Sequence, residues 1–372
     1  MMLVHVGLLS LLVACTGMYA GDAPVLEIDA ARDRTPTTDG TVLDAALEMV
    51  SLPTTPGIYR GACNGSAAIG LDFDHFLGMS DDDQRIRVFK RGTNGDAIQD
   101  LDFAVAFGVA STAKVDFEDL ERVGNRGYAI SSHGRKDDGN LDLDRYRFVA
   151  IDVGGQAPGF TFAVAGSRSS LLSDMLVAAN WSTPNPSIID TLKNASKLEK
   201  QQGDNLKPQA NGMNIEGLAH APNTAVTERM MIGLRNPRPN DKAIAVSLNN
   251  AAAVITGATA QFGEAFVLDF GGLGIRGMSW SPVLQQILII AGPHDDAPGP
   301  FKLYRWAATP GSTPTLVTDI AAPAGTHPEG IVTFANSYDI EIVFDADKQA
   351  VGGTNCEDST QKSFSDTILR VE

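Results

Sequence analysis

Charged side chains recur along the chain in one short motif, and their types could serve cation binding or the recognition of an anionic substrate. The motif reads FEDL at 117–120, IEGL at 215–218 and PEGI at 328–331. IRGM at 275–278 carries arginine in the acidic position, and SAAI at 66–69 is a degenerate copy. Carboxylate oxygens without thiolates favour Ca²⁺ or Mg²⁺ over softer metals.

Two interpretations of these residues stay open. In the first, a cation is held by Glu118, Glu216 and Glu329, and we expect it to be Ca²⁺ if one binds. An anionic substrate is then bound by Arg135, Arg235 and Arg276, and His133 transfers protons. In the second, the glutamates accept hydrogen bonds from neighbouring backbone N–H groups and only hold the fold together. Three converging carboxylates repel one another unless a cation or Arg276 neutralises them.

The elements that position the motifs repeat in a fixed order. Each motif is followed by an apolar strand that ends in polar residues, then by an alternating strand, and in four copies by a further strand such as FTFAVAG at 160–166. Five units of four strands with a period near fifty residues predict an all-β, five-bladed β-propeller. A six-bladed ring is the alternative if residues 167–211 contain a degenerate copy. A β-sandwich is the other structural alternative, but it would not explain the ordered repeat.

Two segments lie outside the repeat. The chain ends before the fifth unit has its fourth strand, and LEMVSLP at 47–53 is predicted to supply it and close the ring. Residues 167–211 show apolar residues at helical spacing, which predicts two helices inserted between blades two and three. We expect this insertion to lie beside the site as a lid or recognition element.

Propeller geometry predicts where the polar residues meet. Inner strands begin, and second strands end, on the same face of the disc. Glu118, Glu216, Arg276 and Glu329 should therefore gather around the axis on one face. The polar ends of the second strands should ring them; these are Asp81–Asp83, His133, Arg135, Arg235, Asn236, His294, Asp295, Asp345 and Asp347. Such a concave polar surface is the default candidate for a binding site.

The same geometry pairs two cysteines that are distant in sequence. Cys63 precedes the first inner strand and Cys356 lies between the second and third strands of the last unit. Blades one and five are neighbours in a closed ring, so these residues are predicted to form a disulfide in an oxidising compartment. The chain-entropy estimate for so long a loop is roughly 4–5 kcal/mol as an upper figure.

The N-terminus predicts export. Residues 3–14 form an apolar run too short to span a bilayer, and Leu12 to Cys15 fit the lipobox of bacterial lipoproteins. Residues 1–15 are therefore expected to be a signal peptide with Cys15 as the lipidation site, residues 16–41 a tether and residues 42–372 one propeller domain. Cleavage after Ala20 is the alternative. Membrane contact is expected only through this lipid anchor, at the periplasm or cell envelope.

Composition and missing motifs exclude some functions. The 372-residue chain has a net charge of −16 and an isoelectric point near 4.7, so nucleic acid is an unsuitable partner. Three catalytic signatures are absent from the sequence, namely a G-x-S-x-G elbow, a phosphate-binding P-loop and an HExxH metal motif. An unidentified small molecule or envelope component remains the expected partner.

An ordered set of motifs runs from about Tyr59 to the C-terminus and includes GSAAIGLDFDHFLGMSDDDQRIRVFKR, NIEGLA, GIRGMSW and LYRW. This set resembles the bacterial family known as domain of unknown function 3616. The Glu-Gly repeats are also similar to those of the esterase-like phytase propellers. That looser resemblance implies Ca²⁺-assisted phosphoester hydrolysis, with Arg135, Arg235 and Arg276 facing the substrate. A metal-assisted hydrolase and a non-catalytic binding module with structural glutamates are therefore the two function hypotheses.

Overall fold

The computed structural model describes residues 49–52, 55–223 and 225–372. Five small sheets surround one axis; four of them have four antiparallel strands, and the fifth has five strands, the outermost of which is parallel to its neighbour. The first strand of every blade contacts the first strands of the two neighbouring blades, and this series of contacts returns to its start. The predicted five-bladed β-propeller is confirmed.

Blades one and two follow the predicted order with one change. The segment 101–107 was expected to be a strand, but it divides into a strand and a short helix. The elements in chain order are β1 (Ile58–Arg60), β2 (Ala67–Gly70), β3 (His75–Met79), β4 (Arg85–Lys90), β5 (Asn94–Asp96), β6 (Gln99–Asp102), α1 (Ala104–Phe107), β7 (Phe117–Val123), β8 (Arg126–Ser131), β9 (Phe148–Gln156) and β10 (Gly159–Arg168).

Blades three and four are regular sheets whose strands are consecutive in sequence. Two helices precede blade three, and a third lies between its last two strands. The elements are α2 (Leu171–Met175), α3 (Pro186–Ser196), β11 (Asn214–His220), β12 (Met230–Asn236), β13 (Ala243–Leu248), α4 (Ala251–Ile255), β14 (Phe262–Leu268), β15 (Gly274–Ser281), β16 (Gln286–Gly292), β17 (Phe301–Trp306) and β18 (Thr315–Ile320).

Blade five completes the ring with a strand from the N-terminal side. Its own strands are β19 (His327–Val332), β20 (Asp339–Asp345) and β23 (Ser363–Arg370), with a small hairpin of β21 (Ala350–Val351) and β22 (Thr354–Asn355) between them. Strand β1 pairs antiparallel with β23, and Tyr59 lies opposite Phe364. An N-terminal strand closes the ring as predicted.

The closing strand is not the predicted segment, however. Residues 49–52 of LEMVSLP lie outside any strand, and the N–H of Leu52 donates to Asp339 at 2.9 Å. The pairing instead involves Tyr59, whose side chain is 1% exposed and packs against Phe76, Phe89 and Phe364. Burial of the Tyr59 ring decides the register in which β1 pairs with β23. The apolar content of residues 47–53 did not reveal this pairing.

The helical insertion is part of the core. Leu171, Leu172 and Met175 of α2 and Leu192 of α3 are fully buried, in the same cluster as residues of blades two and three. The expectation of a peripheral lid is wrong for these helices, because their apolar faces fill the space between two blades. Near the axis, only the loop after them approaches the polar face, through Pro208 and Gln209.

The structure forms the predicted disulfide. Cys63 and Cys356 are bonded with their Cα atoms 5.7 Å apart. The backbone N–H of Ala346, in the loop after β20, also donates to the carbonyl of Cys63 at 2.9 Å. Blades one and five are thus joined at the polar face by a covalent bond and a backbone hydrogen bond.

Candidate functional site: a polar cleft at one mouth of the propeller

The charged motif residues occupy β-bulges. In β7, β11, β15 and β19 the pairing with the second strand skips one residue, and that residue is Glu118, Glu216, Arg276 or Glu329. A bulge turns the extra side chain out of the ladder, which here places it at the axis. Gly277 follows one bulge because a Cβ there would lie 1.8 Å from the carbonyl oxygen of Glu329.

These four side chains meet in one cleft of about 420 Å³ at the start of the inner strands, here called the polar cleft. Arg276 lies between two of the glutamates: its Nε is 3.2 Å from Glu216, and its Nη2 donates to Glu329. Glu216 also accepts hydrogen bonds from Arg235 at 2.8 Å and from Asn214 at 2.7 Å. Arg276 therefore pairs with both Glu216 and Glu329, and Arg235 adds a second positive charge beside Glu216.

The proposed three-glutamate metal set does not fit this geometry, because Glu216 and Glu329 already have partners. Ser66 of the degenerate motif donates to the second oxygen of Glu329 at 2.8 Å. Glu118 differs, since it makes no hydrogen bond or ion pair with any residue that the structure describes. Burial, then the neighbouring carboxylate of Glu216, raises the pKa of Glu118 well above its usual range.

Two residues predicted to be catalytic lie away from the cleft. His133 is fully buried, its Nδ1 is 2.8 Å from the carbonyl of Ser131, and burial lowers its pKa to about 4. Arg135 is 2% exposed and donates to backbone carbonyls, including that of Lys200 at 2.7 Å. Arg135 thereby fixes the insertion to the loop that follows β8, whereas the imidazole of His133 packs against Tyr146.

Arg235 does line the cleft, but its donors are engaged. Besides Glu216 it donates to the carbonyls of His294 at 3.1 Å and Asp295 at 2.6 Å. It thereby fixes the loop after β16 to the end of β12. Arg235 and Arg276 are therefore arranged to hold carboxylates and backbone, and they offer little free capacity to a phosphate.

The acidic residues of blades one and five have fewer partners. Carboxylate oxygens of Asp81, Asp82 and Asp347, here called the aspartate cluster, lie within 4.8 Å of one another. Lys114 pairs with Asp82 at 2.6 Å, and Lys362 lies 3.7 Å from the same residue. His327, Glu329 and Asp345 form an adjacent group with ligand atoms within 4.8 Å.

Electrostatics in the aspartate cluster are unfavourable without a cation. Burial, then repulsion from Asp347, raises the pKa of Asp81 well above its usual range. Burial, then repulsion from Asp345, raises the pKa of Asp347 to about 8. Both shifts show that the folded chain disfavours the charged carboxylates and would gain from a positive ion beside them.

Asn64 provides independent support for a cation at this position. Its side chain is 1% exposed, and its amide nitrogen donates to Asp81 and lies 3.5 Å from Asp347. Its Oδ1 is buried and accepts no hydrogen bond from any described residue. An amide oxygen is an ordinary Ca²⁺ ligand, and rotation of the amide by about 180° would turn it toward the aspartates.

The carboxylate of Asp119, which lies outside the predicted site, joins neighbouring blades by hydrogen bonds. Asp119 stands where three other motifs have glycine, and it is 1% exposed. Its Oδ2 accepts the N–H groups of Leu218 at 2.7 Å and Met278 at 3.0 Å, on the inner strands of blades three and four. Glu121 reaches the N–H of Trp280 in the same way at 3.0 Å. The departure from glycine was the signal that could have identified Asp119.

The raised pKa values lead to a prediction for the cation-free protein. Carboxyls with folded pKa values above their unfolded values bind more protons in the folded state, so stability falls as pH rises between the two values. With Glu329 raised to about 7 and Asp347 to about 8, the melting temperature in a chelator should fall from pH 6.5 to pH 8. His133, with its lowered pKa, opposes this trend only below pH 6.5. Calorimetric melting at several pH values tests it, and a constant or rising melting temperature would contradict the electrostatic description.

Comparison with known proteins identifies the family. The model of the family described as Protein of unknown function (DUF3616) matches residues 141–350, which is more than half of the chain. The chain belongs to the DUF3616 family. No curated protein matches the sequence.

Solved structures of other propellers are distantly similar to this DUF3616 protein. A putative oxidoreductase (glucose dehydrogenase) from Thermus thermophilus is 11% identical, with a TM-score of 0.41 over 84% of this chain and 99% of that one. The β-propeller domain of Cps50 (Swd1) from Myceliophteria thermophila is 10% identical, with a TM-score of 0.35 over 82% of each chain. Likenesses this low say nothing about function.

Other expectations concern the N-terminus. The signal peptide at 1–15, the lipidation site Cys15 and the tether at 16–41 lie outside the described residues. Within the described residues, no helix has the length and apolar character required to cross a bilayer.

Proposed function

We propose that this DUF3616 protein is an exported propeller of the cell envelope that binds a divalent cation, Ca²⁺ by preference, in its polar cleft. Support for export comes from the lipobox that ends at Cys15 and from the disulfide between Cys63 and Cys356. The cation uses the aspartate cluster instead of the three bulge glutamates.

A single observation carries the proposal: the buried amide oxygen of Asn64 has no described partner beside two aspartates whose pKa values are raised. Asp81, Asp82, Asp347 and the Asn64 amide can supply oxygen ligands from two blades. Ca²⁺ accepts about six to eight oxygens in flexible geometry, whereas Mg²⁺ demands a closer octahedron and retains more water. Neither nearby cysteine offers a thiolate, because Cys63 and Cys356 are bonded to each other.

The cation would also change what the cleft can bind. Acidic residues outnumber basic ones along its walls, and its arginines are engaged with carboxylates and carbonyls. An anionic ligand is therefore repelled by the cation-free cleft. With a divalent ion in the aspartate cluster, the same cleft can accept a small phosphorylated or carboxylated ligand from the envelope.

The test is calorimetric titration of Ca²⁺ into chelator-treated protein. We expect saturable binding by the native chain and a loss of about tenfold or more in Asp347→Asn, because the amide keeps the shape but removes a charged ligand. Asp190→Asn is the control, since Asp190 is exposed on α3 and should leave binding unchanged. Absence of binding, or equal affinities in native and Asp347→Asn proteins, would refute the cation site.

Metal-assisted hydrolysis of a phosphoester is the second candidate, and His327 is the residue that favours it. Its Nδ1 lies 3.7 Å from Asp345, and both line the polar cleft beside the aspartate cluster. A bound divalent ion supplies a Lewis acid that polarises a phosphoryl oxygen. His327 replaces His133 as the group that can hold or transfer a proton there.

Hydrolysis can be measured as Ca²⁺-dependent phosphate release from p-nitrophenyl phosphate. If His327 transfers the proton, His327→Asn should lower the rate about 100-fold or more, while His75→Asn, outside the cleft, should not change it. Ca²⁺ binding without any Ca²⁺-dependent turnover would instead support the non-catalytic binding module.

A further inference from the structure

A second cavity lies at the other mouth of the propeller. Its walls come from the ends of the inner strands of blades one, two, four and five, at Gly70, Glu121, Ser279 and Ile331. The polar cleft lies at the starts of these strands, so the two sites occupy opposite mouths. This distal cavity has a volume of about 320 Å³, which suits one small molecule.

Aromatic side chains form much of its wall. Phe73 and Phe334 stack with their ring centroids 5.6 Å apart, and Trp280 contributes an indole. Trp280 is partly exposed, whereas Trp181 and Trp306 are 5% and 1% exposed. Partly exposed aromatic faces inside a concave site offer flat apolar surface to a ring.

Arg122 adds a positive charge without a matching carboxylate. Its Nε donates to the carbonyl of Gly124 at 2.8 Å, and its Nη1 donates to those of Gly70 and Leu71. Its Nη2 has no hydrogen-bond partner among the described residues, and none of their carboxylates lies within 4.0 Å of the guanidinium. Burial lowers the pKa of Arg122, and Asp72 offsets this only in part.

The two acids of the cavity are otherwise engaged. Asp72 lies 2.9 Å from His75. Glu121 accepts the N–H groups of Arg122 and Trp280, and burial raises its pKa to about 8, so it is mostly uncharged near neutral pH. The guanidinium of Arg122 is thus available to an external anion in a largely apolar setting, where a charge-assisted hydrogen bond is strong.

We propose that the distal cavity binds a small aromatic monocarboxylate, with its ring against Trp280 and Phe73 and its carboxylate on Arg122. The site is independent of the polar cleft and of any cation there. Arg122 is fixed by three backbone carbonyls, so its free edge is preorganised for one carboxylate.

The experiment uses 3-phenylpropionate as the probe and the whole chain, with binding followed by titration calorimetry and by tryptophan fluorescence. We expect saturable binding by the native protein and at least about tenfold weaker binding of the neutral 3-phenylpropanamide, since the amide forfeits the charged contact. Arg122→Gln should lose the discrimination between the two probes. Arg126→Gln, which removes a guanidinium paired with Asp152 outside the cavity, should keep it.

Three results would overturn the proposal: no binding of 3-phenylpropionate at millimolar concentration, equal affinity for both probes, or unchanged discrimination in Arg122→Gln. The comparison of the two probes on the native chain decides the question even if Arg122→Gln fails to fold. Because Ca²⁺ binding is measured separately, failure here leaves the proposed function of the polar cleft intact.

Discussion

Replacing Asp119 with alanine is expected to lower the free energy of unfolding by about 3 kcal/mol or more. The substitution removes the acceptor for the N–H groups of Leu218 and Met278, which lie on two other blades, and for that of Leu120. Each buried donor left unpaired costs about 1–3 kcal/mol. Denaturant unfolding followed by circular dichroism measures the loss.

The adjacent residue supplies the control. Glu118→Ala, in the presence of a chelator, should change the unfolding free energy by less than about 0.5 kcal/mol or raise it, because Glu118 has no hydrogen bond to a described residue and an unfavourable charge. Equal losses in the two variants, or a larger loss for Glu118→Ala, would show that Asp119 does not join the blades.

Removing the disulfide is the second substitution with a large expected effect. The double variant Cys63→Ser, Cys356→Ser should lose up to roughly 4–5 kcal/mol of unfolding free energy, because the bonded cysteines are 293 residues apart in sequence. It should also weaken Ca²⁺ binding, since Asn64 and Asp347 come from the two segments that the bond joins. Chemical unfolding and calorimetry measure the two effects.

Ser187→Ala is the control for the disulfide, because it changes one exposed side chain on α3 by a single atom without opening the ring. It should alter neither stability nor Ca²⁺ affinity. If the double variant unfolds at the same denaturant concentration as the native protein, closure by β1 alone holds the ring and the disulfide is dispensable.

The repeat made the blades predictable from sequence. Because each copy presents the same order of strands, the positions of Glu118, Glu216, Arg276 and Glu329 at one mouth followed from topology alone. The disulfide followed in the same way, from the adjacency of blades one and five. Both features depend only on the order of the elements and not on their detailed packing.

Side-chain partners were not predictable, because they depend on contacts between blades. Nothing in the local sequence shows that Arg276 lies between Glu216 and Glu329, or that His133 is fully buried. The sequence prediction placed the closing strand at 47–53 instead of at β1, because Tyr59, the buried residue of β1, has no alternating apolar pattern around it. The aspartate cluster was visible only as separate acidic strand ends until the ring brought them together.

The most direct measurement is the anomalous scattering from a crystal of the native chain grown with Tb³⁺ in place of Ca²⁺. We expect a peak bounded by oxygens of Asp81 and Asp347, with the amide oxygen of Asn64 turned toward it. A peak among Glu118, Glu216 and Glu329 with Arg276 displaced, or a polar cleft without any peak, would contradict the proposed cation site.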